Sequence, residues 1–306
     1  MPSKEFLEYA DRIPKEPPLG MQDAGDPIPE EFADLPLPIL PPHFRAPVPE
    51  LSPGFTGGEI ELCGVRGLYA DAEDTIKGAA FLHIHGGGFT IGSAMEAVGL
   101  LEHFVKETHL ASYSADYRLA PYARYPEPLE DCLQFYKGLL EKGYTGIVLG
   151  GESAGASLVL SLAHAIRKAG LPEPIALWCS SPVAEIDFAD REISYTDMFS
   201  ETCKELCRVY CPGADLHEPL LSPYYGDFTD FPPLFLQAGS TESLSYGIIR
   251  VLDKAAKAGN EVHFHMGKDM PHTFAMDFGK YPEATEAMRE IVSFVNYQVK
   301  MHGFAP

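Results

Sequence analysis

From about residue 79 onward, the apolar positions fall into two alternating patterns. Ala79-Ala80-Phe81-Leu82-His83-Ile84 is a nearly continuous apolar run of strand length, as expected of a strand covered on both faces. A helix is expected near 95–108 and a strand near 110–115. Pro128 then opens a helix to about 141, with Leu129, Cys132, Leu133, Phe135, Tyr136, Leu139 and Leu140 as its apolar positions. The run Gly146-Ile147-Val148-Leu149-Gly150 predicts the next strand, and Ser157 to Ala163 reads as a helix. Further strands fit 174–179, 233–238 and 261–266, with helices at about 243–258 and 281–301. Strands alternating with helices predict a mostly parallel sheet with helices on both faces.

Two stretches depart from that rhythm. Residues 1–50 are rich in proline and acidic groups and cannot hold long regular elements, yet Phe32, Leu35, Leu37, Ile39, Leu40 and Phe44 give them apolar surface to bury. Residues 184–222 form a polar, helix-prone insert. Between the first of these and the first buried strand, residues 59–69 alternate loosely and are expected to form one edge strand.

A chain of 306 residues, 45% hydrophobic, can bury a full-sized core of one large α/β domain. Its formal charge of −21 argues against nucleic acid and anionic membranes as partners, because phosphates require clustered Lys and Arg. No apolar run approaches the length of a membrane span. The start, Met1 to Glu8, carries acidic residues where a secretory signal needs an apolar segment, so a cytoplasmic location is expected. The six cysteines are then expected to be reduced. Cys203, Cys207 and Cys211 would stripe one face of a helix. They read as small buried side chains rather than a thiol metal site, because C-x-x-C pairs are missing.

In a parallel sheet, ligands gather at the carboxyl ends of the strands. Four loops with chemical potential lie there. Gly151-Glu152-Ser153-Ala154-Gly155, between a strand and a helix, has the pattern of a nucleophile elbow. A serine hydroxyl needs a base to become a nucleophile, and the base needs an orienting acid. Among the eleven histidines, His272 has the right place, past the last strand and before the last helix. Glu242 is the carboxylate in the turn Gly239 to Leu244 after the preceding strand. The run His85-Gly86-Gly87-Gly88 offers unhindered amides, and Gly87, Gly88 and Ala154 are the candidate donors to an oxyanion. Glu152 and Phe89 are candidate substrate contacts. Such a histidine base implies activity that falls as pH drops through the imidazole range, about 6.5 when unperturbed.

Together these motifs resemble the hormone-sensitive-lipase-like carboxylesterases of the α/β-hydrolase fold. His85 to Phe89 with Gly92-Ser93 resembles the family's oxyanion-loop motif. Tyr117-Arg118-Leu119-Ala120-Pro121, with Pro126 and Glu130-Asp131, resembles its second signature. The resemblance spans about residues 80–275. It implies a core of residues 51–183 and 223–306 under a two-part lid formed by residues 1–50 and 184–222. It also implies hydrolysis of short-acyl or aromatic carboxylic esters through an acyl-enzyme, with no cofactor or metal. The expected partner is a small-molecule ester, and a homodimer is left open. Glu152 replaces the family's usual Asp, Glu242 its commoner Asp, and Tyr122 its usual Glu, while Ala156-Ser157 replaces Gly-Asn. The rival readings are an amidase, lactonase or carbamate hydrolase with the same machinery, and a non-catalytic receptor on this fold.

Overall fold

A computed structural model describes residues 2–10, 12, 45–186 and 208–305. Among them, eight strands form one sheet in the order β1-β2-β4-β3-β5-β6-β7-β8. These are β1 (Thr56–Leu62), β2 (Val65–Asp71), β3 (Ala79–Ile84), β4 (Ala111–Ala115), β5 (Gly146–Glu152), β6 (Ala176–Ser180), β7 (Leu234–Gly239) and β8 (Val262–Gly267). The β1–β2 and β2–β4 pairs are antiparallel, and every pair from β4 to β8 is parallel.

The one edge strand expected at 59–69 is instead the hairpin β1–β2. Its turn is Cys63-Gly64, with φ of 47° and 82°. Two positive φ values in succession suit a two-residue hairpin turn, where Asn, Asp or Gly commonly stands first. Cysteine at that position hides the turn.

Successive side chains on a strand point to opposite faces, so the buried strands feed two cores. Leu82, Ile84, Leu149 and Leu177 face one side. There they pack with α3 (Glu127–Glu141), α4 (Ala154–Lys168) and α5 (Ser245–Lys257), through Phe135, Val159 and Ile248. Phe81, Val148, Trp178 and Phe235 face the other side, against α2 (Val98–Thr108) and α6 (Pro282–Met301). At its centre Phe81 stacks on Phe104 with ring centroids 4.0 Å apart. Gly150 in β5 belongs to this face, since a Cβ there would lie 2.0 Å from Trp178 Nε1.

Of the proposed lid, residues 13–44 and 187–207 lie outside the described residues, and with them Cys203 and Cys207. The described part of the first segment includes the short helix α1 (Lys4–Ala10). It docks where the Ser3 hydroxyl and amide donate to Glu283 and the Tyr9 hydroxyl donates to Asp277. At the end of the second segment, Cys211 is buried, which pushes its thiol up to about 11. Among the described residues, no helix is long and apolar enough to cross a membrane.

One buried histidine ties this core to pH. His164 of α4 packs between Phe228 and Phe231, and a Cβ on Gly226 would lie 2.2 Å from its Nε2. Burial, and then the Arg167 guanidinium, push it down to about 4. In the unfolded chain an imidazole takes up its proton near 6.5, whereas the folded chain resists protonation until about 4. Stability from this residue is therefore complete above about 6.5 and lost as pH falls toward 4, by roughly 3 kcal/mol. His164→Leu is expected to flatten the fall in melting temperature between neutral and acid pH. Parallel curves for the two proteins would refute this source of acid sensitivity.

Candidate active site

The elbow is built from backbone constraints. Ser153 sits between β5 and α4 with φ 54° and ψ −124°, a conformation that a non-glycine residue keeps only under constraint from its surroundings. The constraints are visible. The Ser153 amide donates to Ser180 O at 2.8 Å, and its carbonyl accepts from the Ser157 amide and hydroxyl, both at 3.1 Å. The flanking glycines are required by the end of β3. A Cβ on Gly151 would lie 2.5 Å from Ile84 O, and one on Gly155 would lie 2.0 Å from the same oxygen and 2.5 Å from His85 O.

The turns after β7 and β8 are laced together just as tightly. Gly239 lets them meet, since a Cβ there would lie 2.3 Å from the carbonyls of Met270 and Pro271. The Thr241 hydroxyl donates to Met270 O at 2.8 Å, and the Asp269 amide donates to Ser240 Oγ at 2.7 Å. This lacing brings Ser153, Glu242 and His272 together. The Ser153 hydroxyl lies 2.9 Å from His272 Nε2, and His272 Nδ1 lies 2.6 Å from Glu242 Oε2. Glu242 Oε1 accepts from the Gly239 amide at 2.7 Å and the Ser181 hydroxyl at 2.9 Å. With both of its oxygens accepting, the buried carboxylate holds the proton on Nδ1. Nε2 is then left as the acceptor for the serine proton.

The glycine loop lies against the elbow. A Cβ on Gly86 would lie 3.3 Å from Ser153 Cβ. Gly87 and Gly88 have φ of 104° and 59°, which glycine adopts freely, and the Gly87 carbonyl closes the loop by accepting from the Thr90 and Ile91 amides. Among the described residues, the amides of Gly87, Gly88 and Ala154 donate to no protein group, the last because it opens α4.

The two candidate substrate contacts are placed otherwise than expected. Glu152 turns into the protein, with Oε1 accepting from the Gly86 amide at 2.6 Å and Oε2 lying 2.8 Å from His83 Nε2. One carboxylate oxygen holds the glycine loop and the other meets a side chain of β3. Phe89 is buried and stacks on Tyr210 at 3.9 Å, tying the loop to the end of the insert.

The second signature braces the first. Tyr117 stacks on His85 at 4.2 Å and donates to its carbonyl at 2.8 Å. Asp116 accepts from the Ser93 hydroxyl and the Ala94 amide, both at 3.0 Å. Arg118 meets Asp131 through Nε, Nη2 and its own amide, at 2.8–2.9 Å. Burial lowers the His85 imidazole below its ordinary range, so it is neutral at pH 7 while Nδ1 donates to Gly86 O at 2.8 Å. The sequence motif carries no sign of these pairings, nor of the contacts that His83, Ser181 and Tyr210 make in the site.

A mostly parallel sheet with a strained serine between strand and helix, and with an acid and a histidine after the last two strands, defines an α/β hydrolase. The family profile described as alpha/beta hydrolase fold matches residues 81–276. The chain is 33% identical to an acetyl-hydrolase of Streptomyces hygroscopicus, over 71% of this chain and 75% of the relative. It is 30% identical to an esterase of Acinetobacter venetianus, over 77% and 80% of the two chains. A solved esterase from the bacterial hormone-sensitive lipase family superposes with a TM-score of 0.74 at 31% identity, covering 82% of this chain and 87% of that one. The chain belongs to the alpha/beta hydrolase fold family, on its hormone-sensitive-lipase-like branch.

Proposed function

We propose that the protein is a serine carboxylesterase. The observation that carries this reading is the unbroken line from Ser153 Oγ through His272 to Glu242 on a strained elbow. Ser153 Oγ attacks the ester carbonyl as His272 Nε2 takes its proton, and Glu242 stabilises the imidazolium. The amides of Gly87, Gly88 and Ala154 receive the charge on the carbonyl oxygen, each contributing about 10²–10³ in rate. His272 gives its proton to the leaving alkoxide, then takes one from water as that water opens the acyl-enzyme. The names of the Streptomyces and Acinetobacter relatives favour esters, and the first of them favours a short acyl group. A panel of p-nitrophenyl esters tests the reading, with kcat/KM expected to be highest for acetyl to butyryl and to fall with longer chains. Preference for an amide or lactone of matched size would overturn it.

In this reading Glu152 positions the glycine loop rather than contacting substrate. Glu152→Ala would leave the Gly86 amide without its acceptor, and kcat is expected to fall at least about tenfold. Glu152→Gln keeps an acceptor for Gly86, and its new amide can donate to His83, so it should retain most of the activity. If Glu152→Ala instead raised KM for hydroxylated or cationic esters at unchanged kcat, the residue would be a substrate contact after all.

A further inference from the structure

We propose that the Ser181 hydroxyl positions the acid–base pair, fixing Glu242 and the His272 loop relative to each other. The proposal rests on the reading of Ser153, His272 and Glu242 as the catalytic set. Ser181 follows β6 directly, on a strand end that supplies no other member of that set. Its side chain is fully buried. The hydroxyl donates to Glu242 Oε1 at 2.9 Å and accepts from the Thr273 amide, next to His272, at 3.0 Å. A hydroxyl has one proton, and a neighbouring N–H already fills a lone pair, so that proton is committed to the carboxylate.

The backbone points the same way. Ser181 has φ 55°, in the left-handed region that favours glycine, and it is pinned there by its amide donating to Gln237 O at 2.8 Å. A glycine would hold this conformation without strain, yet the position carries a side chain whose hydroxyl bridges two catalytic loops. Strain kept in that way is a pointer to function. The glutamate adds a reason. Glu242 has one more rotatable bond than an aspartate, so its carboxylate needs more external fixing to present Oε2 to His272. The Gly239 amide, on its own turn, supplies one hold on Oε1, and Ser181, from a neighbouring strand, supplies the other.

Ser181→Gly and Ser181→Ala separate the hydroxyl from the backbone, because glycine relieves the φ that alanine keeps. kcat and KM for p-nitrophenyl acetate would be measured across pH 5–9 for wild type, both variants and Ser153→Ala, with a thermal melt of each protein. Both Ser181 variants are expected to lose about tenfold in kcat with KM nearly unchanged, because a loosened Glu242–His272 pair is misplaced for proton transfer while no contact to substrate is removed. The acid limb of kcat/KM should also move to higher pH. A carboxylate stripped of one donor holds the imidazolium more strongly, which favours the protonated base.

Wild-type kcat and an unmoved acid limb in both variants would overturn the proposal. So would losses that track the unfolded fraction in the melts without moving the limb, since that is the mark of a purely structural role. Turnover surviving in Ser153→Ala would instead overturn the nucleophile reading on which the proposal rests, so the two failures are distinguishable.

Discussion

Ser153→Ala is expected to remove about 10⁵–10⁶-fold of kcat toward a short-acyl p-nitrophenyl ester while leaving the melting temperature close to that of wild type. The hydroxyl is one group, but the acyl-enzyme route runs through its oxygen, and no other group in the site can form that ester bond. Stability should change little. Alanine keeps a Cβ in the same left-handed backbone, and the bonds that pin the elbow, from the Ser153 amide to Ser180 O and from Ser157 back to Ser153 O, are backbone bonds or belong to another residue. The comparison is made by steady-state turnover and calorimetry on the same preparations. A variant that keeps a tenth of the wild-type rate would place the nucleophile elsewhere.

Gly155→Ala is expected to have the opposite profile, a structural defect that also removes activity. Its new Cβ would lie 2.0 Å from Ile84 O and 2.5 Å from His85 O, both backbone atoms at the root of the glycine loop. No rotamer change relieves such contacts, so α4 or β3 has to move. Overpacking of this kind costs about 1–3 kcal/mol or more. For a chain of this size that is a melting temperature lower by several degrees. The displacement falls between the nucleophile and the candidate oxyanion donors, where a shift of about 1 Å costs about 10²-fold in rate. Ala156, one residue further along, has its side chain in the core and offers the control: Ala156→Gly should lose some stability while keeping most of its kcat. Equal rates for Gly155→Ala and wild type would show that the close approach of β3 to the elbow does not matter.

Much of this was legible in the sequence because its signals are local. The strand–Gly-x-Ser-x-Gly–helix order, the His-Gly-Gly-Gly run at the end of a buried strand, and the Glu242 and His272 turns each sit within a few residues of a recognisable strand. What escaped lies between segments distant in the chain. The hairpin β1–β2 was read as one strand because Cys63 occupies a turn position at which glycine or asparagine would have announced it. Glu152 looked like a substrate contact because nothing near it in sequence reveals that His83 and the Gly86 amide take both its oxygens. Phe89 looked available because its stacking partner, Tyr210, is more than a hundred residues away. Ser181 gave only a weak hint, a serine pair before a proline at a strand end. Its partners Glu242 and Thr273 come from two other loops. Side-chain pairings that cross the sheet are set by topology, and a one-dimensional pattern does not carry them.

The central claim is that Ser153 is a nucleophile made reactive by His272. Labelling with a fluorophosphonate tests it most directly, because the probe reacts only with an activated serine and reports its position. Intact mass should rise by one adduct, peptide mapping should place that adduct on Ser153, and His272→Ala should slow its formation by orders of magnitude. A protein that stays unlabelled, or that is labelled at another serine, would contradict the claim.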